Sequence, residues 1–181
     1  TKKKINFMPL AYGDLNKCSL TMLSDFLQSH LYIIFGGSYI KGPLADFLVN
    51  KKAINIHMGI SPYYKGSDCN FWALYDQNYN MIGASIIKLS KKIDAGDIYY
   101  HDVALFNKNK FMYTMYSVKT VIDNFTYLIK QNKLKNFKPK KQDLRLTIRE
   151  TKKKDFSISI IKKFNQKSIK VKVNRKNINL I

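Results

Sequence analysis

The segment that best defines the architecture is residues 55–66, Asn-Ile-His-Met-Gly-Ile-Ser-Pro-Tyr-Tyr-Lys-Gly. Alternate side chains of a strand lie on the same face, so Asn55 and His57 would present an amide and an imidazole side by side at a strand end. One of the chain's three histidines lies here. This pair suits the stabilisation of an oxyanion, and a carboxylate from a second loop would complete it. Asp94, in the loop 93–97 (Ile-Asp-Ala-Gly-Asp), supplies one.

The residues before this segment predict a βαβ unit. The apolar run Leu31–Phe35 indicates a strand buried on both faces, and it ends at Gly36-Gly37-Ser38. A helix over Leu44–Val49 then leads to the strand Ala53–His57. This order is typical of an open, Rossmann-like, mostly parallel α/β sheet with flanking helices, which binds ligands beyond the carboxyl ends of its strands. The glycine loop and His57 are therefore expected at one site.

Hydrophobic periodicity predicts the other elements. The residues before the βαβ unit indicate a strand over Ile5–Leu10 and a helix over Ser19–His30. The elements predicted after it are a helix over Cys69–Tyr75, strands over Met81–Leu89 and Ile98–Leu105, a helix over Phe111–Gln131, and strands over Phe156–Ile160 and Ile169–Val173. A Lys/Pro stretch at 138–141 suggests a boundary. We expect residues 1–137 to form the α/β domain and residues 138–181 a basic, β-rich appendage.

Composition predicts a cytoplasmic globular protein. The chain has 181 residues, of which 45% are hydrophobic, enough for one domain with a real core. No segment approaches the roughly 18 uninterrupted apolar residues of a membrane span. The two cysteines, Cys18 and Cys69, are too few for a disulfide framework, and neither has zinc-binding spacing, so no metal is expected.

The net charge of +20 raises the question of an anionic partner. Residues 130–181 hold 18 Lys and Arg against 3 Asp and Glu, a net charge of +15, so most of the excess lies far from the Asn/His segment. The excess is mainly Lys interleaved with Asn and Ile, which favours a solvated surface. A phosphate-rich partner, such as a nucleotide-sugar, tRNA or an anionic membrane face, is the alternative.

Together, the Asn55-x-His57 pair, the Ser61-Pro62 turn and the Asp94-Ala95-Gly96 loop resemble the signature of the folate-dependent formyltransferases. Residues 61–72 (SPYYKGSDCNFW) are most similar to the branch that formylates sugar amines. The resemblance covers residues 35–103. It implies a formyltransferase fold, and because only 54 residues precede Asn55, the chain is expected to lack the first βαβ unit of that fold.

The resemblance implies transfer of a formyl group from N10-formyltetrahydrofolate to the primary amine of a nucleotide-linked sugar, without a metal. Asn55 and His57 would hydrogen-bond the oxyanion, while Asp94 would keep His57 protonated and relay the amine proton through water. The folate is expected to contact Gly36, Gly37, Ser38, Tyr39, Ile40, Ser61 and Leu89. The acceptor is expected to contact Tyr63, Tyr64, Lys65 and Asn70.

Two alternatives stay open. One is methionyl-tRNA formylation, in which the basic tail would meet the tRNA. The other is a non-catalytic module that keeps the fold and binds an anionic partner through the tail, which the short N-terminal segment favours. The sequence also leaves open which amine is used and whether the protein forms a homodimer.

Overall fold

The computed structural model of the protein describes residues 5–166. Its strands are β1 (Ile33–Phe35), β2 (Ile54–His57), β3 (Tyr64–Gly66), β4 (Gly83–Lys88), β5 (Ile98–Val103) and β6 (Arg149–Thr151). Its α-helices are α1 (Gly42–Asn50), α2 (Cys69–Tyr75), α3 (Lys110–Lys130) and α4 (Ile158–Gln166). Short 3₁₀ helices lie at Asp14–Lys17, Tyr79–Met81, Leu134–Asn136, Leu144–Leu146 and Lys153–Asp155.

The main sheet has the strand order β1-β2-β4-β5. Strands β1 and β2 are parallel and joined by α1, which confirms the predicted βαβ unit. The other two pairs, β2 with β4 and β4 with β5, are antiparallel. The α/β architecture is therefore confirmed, but the expectation of a mostly parallel sheet is wrong for the described strands. The reason is local: a loop at 89–97, not a helix, joins β4 to β5, so β5 must run back along β4.

The core lies on β2 and β4 and under α3. Asn109 caps the start of α3 by accepting a hydrogen bond from the backbone N–H of Met112 at 3.0 Å. The buried residues of this helix recur every four positions and are Tyr113, Ser117, Val121 and Phe125. Val121 and Phe125 pack on the sheet, against the isoleucines of β2 and β4. This packing holds β2, and with it the Asn/His pair, in a rigid layer.

Strand β1 is more exposed than predicted. Ile33 and Phe35 are 45% and 44% exposed, because β1 is an edge strand of the described sheet. The predicted strand at Ile5–Leu10 does not form, since no neighbouring strand pairs with this exposed stretch. The predicted helix at Ser19–His30 is a series of turns, from which Leu23 is buried against α1.

Residues after 138 pack closely on the preceding part of the chain. Lys140 exchanges two backbone hydrogen bonds of 2.8 Å with Ile98, and β6 pairs with β3 in parallel. The strand predicted at Phe156–Ile160 is wrong, because α4 begins at Ile158 and buries Phe164 against α2. The strand predicted at Ile169–Val173 lies outside the described residues. The division into domains 1–137 and 138–181 stays a prediction.

Within residues 5–166, no helix combines the length and the apolar character needed to span a membrane. In the same part of the chain, no three His, Cys, Asp or Glu side chains come together as a metal ion would require.

Candidate active site

Asn55 and His57 both contact the carboxylate of Asp94, so the three side chains form one polar cluster. Asn55 and His57 lie on β2, two residues apart, and the loop between β4 and β5 brings Asp94 to them. The Asn55 Nδ2 atom donates to Oδ1 of Asp94 at 3.0 Å. The Nδ1 atom of His57 lies 3.3 Å from Oδ2 of the same carboxylate. The structure therefore brings together the three residues that the sequence selected for catalysis.

The carboxylate of Asp94 is fixed by a further donor. The backbone N–H of Gly66 donates to its Oδ2 at 2.9 Å. Asp94 itself has a φ of 46°, in the left-handed region that Asp tolerates better than most residues. Three polar groups from two separate strands thus face one carboxylate, which fixes its position.

His57 is 5% exposed, and both of its ring nitrogens face acceptors. The Nε2 atom lies 2.8 Å from the carbonyl oxygen of Tyr64, and Nδ1 faces the Asp94 carboxylate. A neutral imidazole has only one N–H and can satisfy only one of these oxygens. The surroundings of His57 thus offer an acceptor to each ring nitrogen, and only a doubly protonated ring would donate to both.

The loop that carries Asp94 requires glycine at position 96. A Cβ atom on Gly96 would lie 1.8 Å from the carbonyl oxygen of Lys88, so the loop closes only when that position has no side chain. The backbone N–H of Lys88 donates to the carbonyl of Asp97 at 2.8 Å, and the two side chains form an ion pair of 3.0 Å. These contacts explain why Asp and Gly occur together in this segment.

A cavity of about 570 Å³ opens in front of these three side chains. Of the residues predicted to contact folate, six line it: Gly36, Gly37, Ser38, Tyr39, Ile40 and Leu89. The hydroxyl of Tyr39 donates to the carbonyl of Lys91 at 2.6 Å, which links the glycine loop to the loop 89–97 across the cavity. The glycine loop and the loop 89–97 therefore lie on two sides of one cavity.

Ser61, the seventh residue predicted to contact folate, does not line this cavity. Its side chain is fully buried, and its backbone N–H donates to Oγ of Ser85 at 2.8 Å. Its carbonyl oxygen lies 2.8 Å from Nε2 of His101. The Ser61-Pro62 turn, whose peptide bond is cis, is thus part of the interior behind the site.

The four residues predicted to contact the acceptor also lie away from the cavity lining. Tyr64 is 1% exposed, and its hydroxyl contacts Asp76 and Asn78. Tyr63 packs against the core around α2.

Lys65 and Asn70 are buried as well. Lys65 pairs with Glu150 at 3.0 Å, and Asn70 donates to Ser117 and accepts from the backbone N–H of Gly83, each at 2.9 Å. Their polar atoms are satisfied inside the fold, so the structure does not bring these side chains to a ligand.

Several cavity residues were missed by sequence reasoning. They are Tyr12, Ser67, Asp68, Thr151, Lys152 and Lys153. Burial raises the pKa of the Asp68 carboxyl, and the nearby charge of Lys153 opposes this. Residues 151–153 reach the cavity because β6 pairs with β3, a contact between distant parts of the sequence that no local pattern reveals.

By sequence, the chain matches no family model and no curated protein. Its fold matches solved structures. The formyltransferase PseJ from Anoxybacillus kamchatkensis, in complex with UDP-4,6-dideoxy-4-formamido-L-AltNAc and tetrahydrofolate, has a TM-score of 0.54 and 22% identity over 71% of this chain and 67% of its own. A 4-N formyltransferase from Francisella tularensis has a TM-score of 0.55 and 26% identity over 76% of this chain and 56% of its own. A methionyl-tRNA formyltransferase from Clostridium thermocellum has a TM-score of 0.55 and 15% identity over 86% of this chain and 67% of its own.

The chain therefore has the formyltransferase fold, and the resemblance to the folate-dependent formyltransferases is confirmed at the level of the fold. It spans 56% to 67% of the length of these three proteins.

Proposed function

We propose that this chain transfers a formyl group from N10-formyltetrahydrofolate to the primary amine of a nucleotide-linked sugar. The observation that carries the proposal is the polar cluster of Asn55, His57 and Asp94, in which Asn55 donates to Asp94 and His57 lies 3.3 Å from it, at a cavity of about 570 Å³. The fold supports the class of reaction. Two of the similar structures support the substrates, since one is named as a complex with a UDP-linked formamido sugar and tetrahydrofolate and the other as a 4-N formyltransferase.

The cavity fits a flat co-substrate that donates the formyl carbon. Its volume lies within the usual range of about 300–1,000 Å³ for small-molecule sites. A Cβ atom on Gly37 would contact only Ile34, at 3.8 Å, so the backbone of the glycine loop forms a wall that a planar ring can approach. Gly36 has a φ of 63°, a conformation that glycine adopts readily. The glycine loop and Leu89 would hold the folate between them.

Asn55 is the direct donor in this proposal. One of its two amide hydrogens is used by Asp94, and the amide nitrogen has a second hydrogen to donate. Asn55 lines the cavity, so this second N–H would meet the formyl oxygen as negative charge develops there. A preorganised donor of this kind is typically worth about 3 kcal/mol of transition-state stabilisation.

His57 would act mainly through its charge. Both ring nitrogens are engaged with Tyr64 and Asp94, so a positive imidazolium would lie beside the developing oxyanion without giving up either contact. This differs from the sequence expectation that His57 donates directly. In a buried site, a fixed positive charge near a developing negative one is favourable over several ångströms.

Asp94 would accept the proton that the attacking amine loses. As the amine nitrogen bonds to the formyl carbon, the bond from that carbon to N10 of the folate breaks, and the released tetrahydrofolate takes up a proton at N10. The amine proton would pass to Asp94 through water and then to the leaving nitrogen. The charge balance closes without any further reactant.

Four lysines line the cavity; Lys88 pairs with Asp97, and the other three, Lys92, Lys152 and Lys153, would favour an anionic acceptor. A nucleotide-linked sugar carries a diphosphate, and ammonium groups pair well with phosphate oxygens. These lysines take the role that the sequence had given to Lys65, which pairs with Glu150 inside the fold.

The test is a formyl-transfer assay on the purified chain. N10-formyltetrahydrofolate is mixed with a panel of UDP- and dTDP-linked amino sugars, with methionyl-tRNA as a separate arm, and the release of tetrahydrofolate is followed by absorbance. We expect release that depends on one amino sugar and is lost in Asn55→Ala. Release with methionyl-tRNA alone, or none from a chain shown to be folded, would overturn the proposal.

A further inference from the structure

Gln142 contacts the backbone of the loop that carries Asp94. Its Nε2 atom donates to the carbonyl oxygen of Asp94 at 2.9 Å and to the carbonyl oxygen of Gly96. One amide group therefore holds two carbonyls of the same turn, and it contacts the backbone of Asp94, whereas Asn55 and Gly66 contact its carboxylate. The residue comes from a part of the sequence that the periodicity assigned to a separate appendage.

The placement of Gln142 follows from backbone pairing two residues earlier. Lys140 exchanges hydrogen bonds of 2.8 Å in both directions with Ile98, the first residue of β5. This bridge fixes the path of the chain beside the end of the loop 89–97. Gln142 is half-buried there, so its long side chain has few other conformations available.

The contacts define which way the amide faces. The Oε1 atom of Gln142 is buried without a hydrogen-bond partner among the described residues. Reversing the amide would place Oε1 against the carbonyl oxygens of Asp94 and Gly96, and two acceptors repel at that distance. The Nε2 atom, which has two hydrogens, is the only end of the side chain that can satisfy both carbonyls.

Asp94 is held at both of its ends. Gly66 and the residues of β2 fix the carboxylate, and Gln142 fixes the carbonyl. Because Asp94 has a φ of 46°, its backbone needs support from its surroundings to stay in this conformation. Loss of the carbonyl contact would let the turn relax and move the carboxylate away from His57.

We infer that Gln142 is a positioning residue for the formyl transfer, one that sets the orientation of the Asp94 carboxylate toward His57 without touching the reacting groups. The expected effect of Gln142 on turnover rests on the proposed function. Its effect on His57 is independent of any substrate. A carboxylate displaced by about 1 Å is expected to lower kcat by about 10- to 100-fold.

The variants that test it are Gln142→Glu and Gln142→Met. The first is isosteric but turns an acceptor toward the two carbonyls, and the second keeps the side-chain length without donors or charge. Gln28→Glu and Gln28→Met are the matched controls, because Gln28 is exposed. Circular dichroism and thermal unfolding identify which variants fold. If Gln142→Glu does not fold, Gln142→Met still tests the inference.

Two measurements are made on each folded variant. The first is steady-state kinetics, in which we expect kcat to fall while the KM for the folate changes by less than about threefold, since no folate contact is removed. The second is the ring ¹⁵N chemical shifts of His57, which report the surroundings of each ring nitrogen and so the contact of Nδ1 with Asp94. With only three histidines, the ring signals are readily assigned by substitution. We expect the Nδ1 signal to move in Gln142→Met in the direction that Asp94→Asn also gives, because both changes weaken the contact of Nδ1 with the carboxylate.

The outcomes separate the two proposals. If the parent chain is active and folded Gln142→Met keeps both its kcat and its His57 shifts, the positioning role is overturned. If the parent chain shows no formyl transfer, the proposed function fails, and the His57 shifts alone still decide whether Gln142 orients Asp94. An equal loss in the Gln28 controls would also overturn the inference.

Discussion

The backbone N–H of Gly66 donates to Oδ2 of Asp94 at 2.9 Å, although 28 residues separate them. Through this bond the end of β3 is tied to the loop between β4 and β5. Gly66 also lies against β6, so the carboxylate of the site depends on a junction of three chain segments.

Gly66 should be intolerant of any side chain. It has a φ of 88°, and a Cβ atom there would lie 1.9 Å from the carbonyl oxygen of Thr151. We expect Gly66→Ala to reduce the free energy of unfolding by about 3 kcal/mol or more, since backbone must move to relieve the overlap. Chemical denaturation measures this. Gly13→Ala is the control, because Gly13 has a φ of 93° but open space around it, so it reports the backbone strain alone.

Asn55→Ala should lower kcat by about 10²- to 10³-fold, the usual effect of removing one oxyanion donor. Its fold should be retained, since Asn55 is only partly buried and the apolar neighbours of β2 stay in place. Single-turnover kinetics with the acceptor found in the panel measures the change. Asn50→Ala, at the exposed end of α1, should leave turnover unaltered, and a near-normal rate in Asn55→Ala would remove Asn55 from the mechanism.

Stability should fall as the pH drops below about 6.5. Burial lowers the pKa of His101, and the positive charge of His57 acts in the same direction, while the bond to Ser61 opposes both. At His101 the folded state thus binds fewer protons than the unfolded state in this window, so the contribution of this residue to the free energy of unfolding decreases as the pH falls, by at most about 1.4 kcal/mol per pH unit. Urea unfolding between pH 7.5 and 5.5 tests this. The change of the free energy of unfolding with pH should become smaller in His101→Asn and stay the same in His30→Asn, because His30 is exposed.

Arg149 should anchor β6. Its guanidinium donates two hydrogen bonds to the Asp76 carboxylate, at 2.8 and 2.6 Å, and lies 4.7 Å from the centre of the Trp72 ring. We expect Arg149→Lys to lower the free energy of unfolding by about 1–2 kcal/mol, because an ammonium gives up the paired geometry and the flat stacking. Thermal unfolding measures it. Arg145→Lys is the control, because the Arg145 side chain is 90% exposed. If Arg149→Lys lost no more stability than Arg145→Lys, Arg149 would not anchor β6.

The parts of the site that the sequence predicted are those with a local pattern. Asn55 and His57 alternate at a strand end, and Asp94 lies in a turn whose Gly96 has a steric purpose. Helices α1, α2 and α3 were predicted because their apolar residues recur at helical spacing within a single segment. Such patterns need no knowledge of distant residues.

The acceptor contacts could not be predicted in this way. Tyr64, Lys65 and Asn70 are of residue types that suit ligand binding, but the same types also satisfy polar atoms in a core. Which use applies depends on Glu150, Ser117 and Asp76, partners that lie 85, 47 and 12 residues away. Gln142 and Lys153 were missed for the same reason, since backbone pairing with remote strands brings them to the site.

The parallel pairing of β3 with β6 also has a consequence for synthesis. A nascent chain that has emerged from the ribosome only as far as α3 already contains the Asn/His pair and the Asp94 loop, but it lacks Gln142 and the strand that covers Gly66. Contacts of such long sequence separation form late and slowly. The ligand cavity is therefore expected to form only after β6 has been translated. A partly synthesised chain that lacks β6 would have the core but an incomplete ligand site.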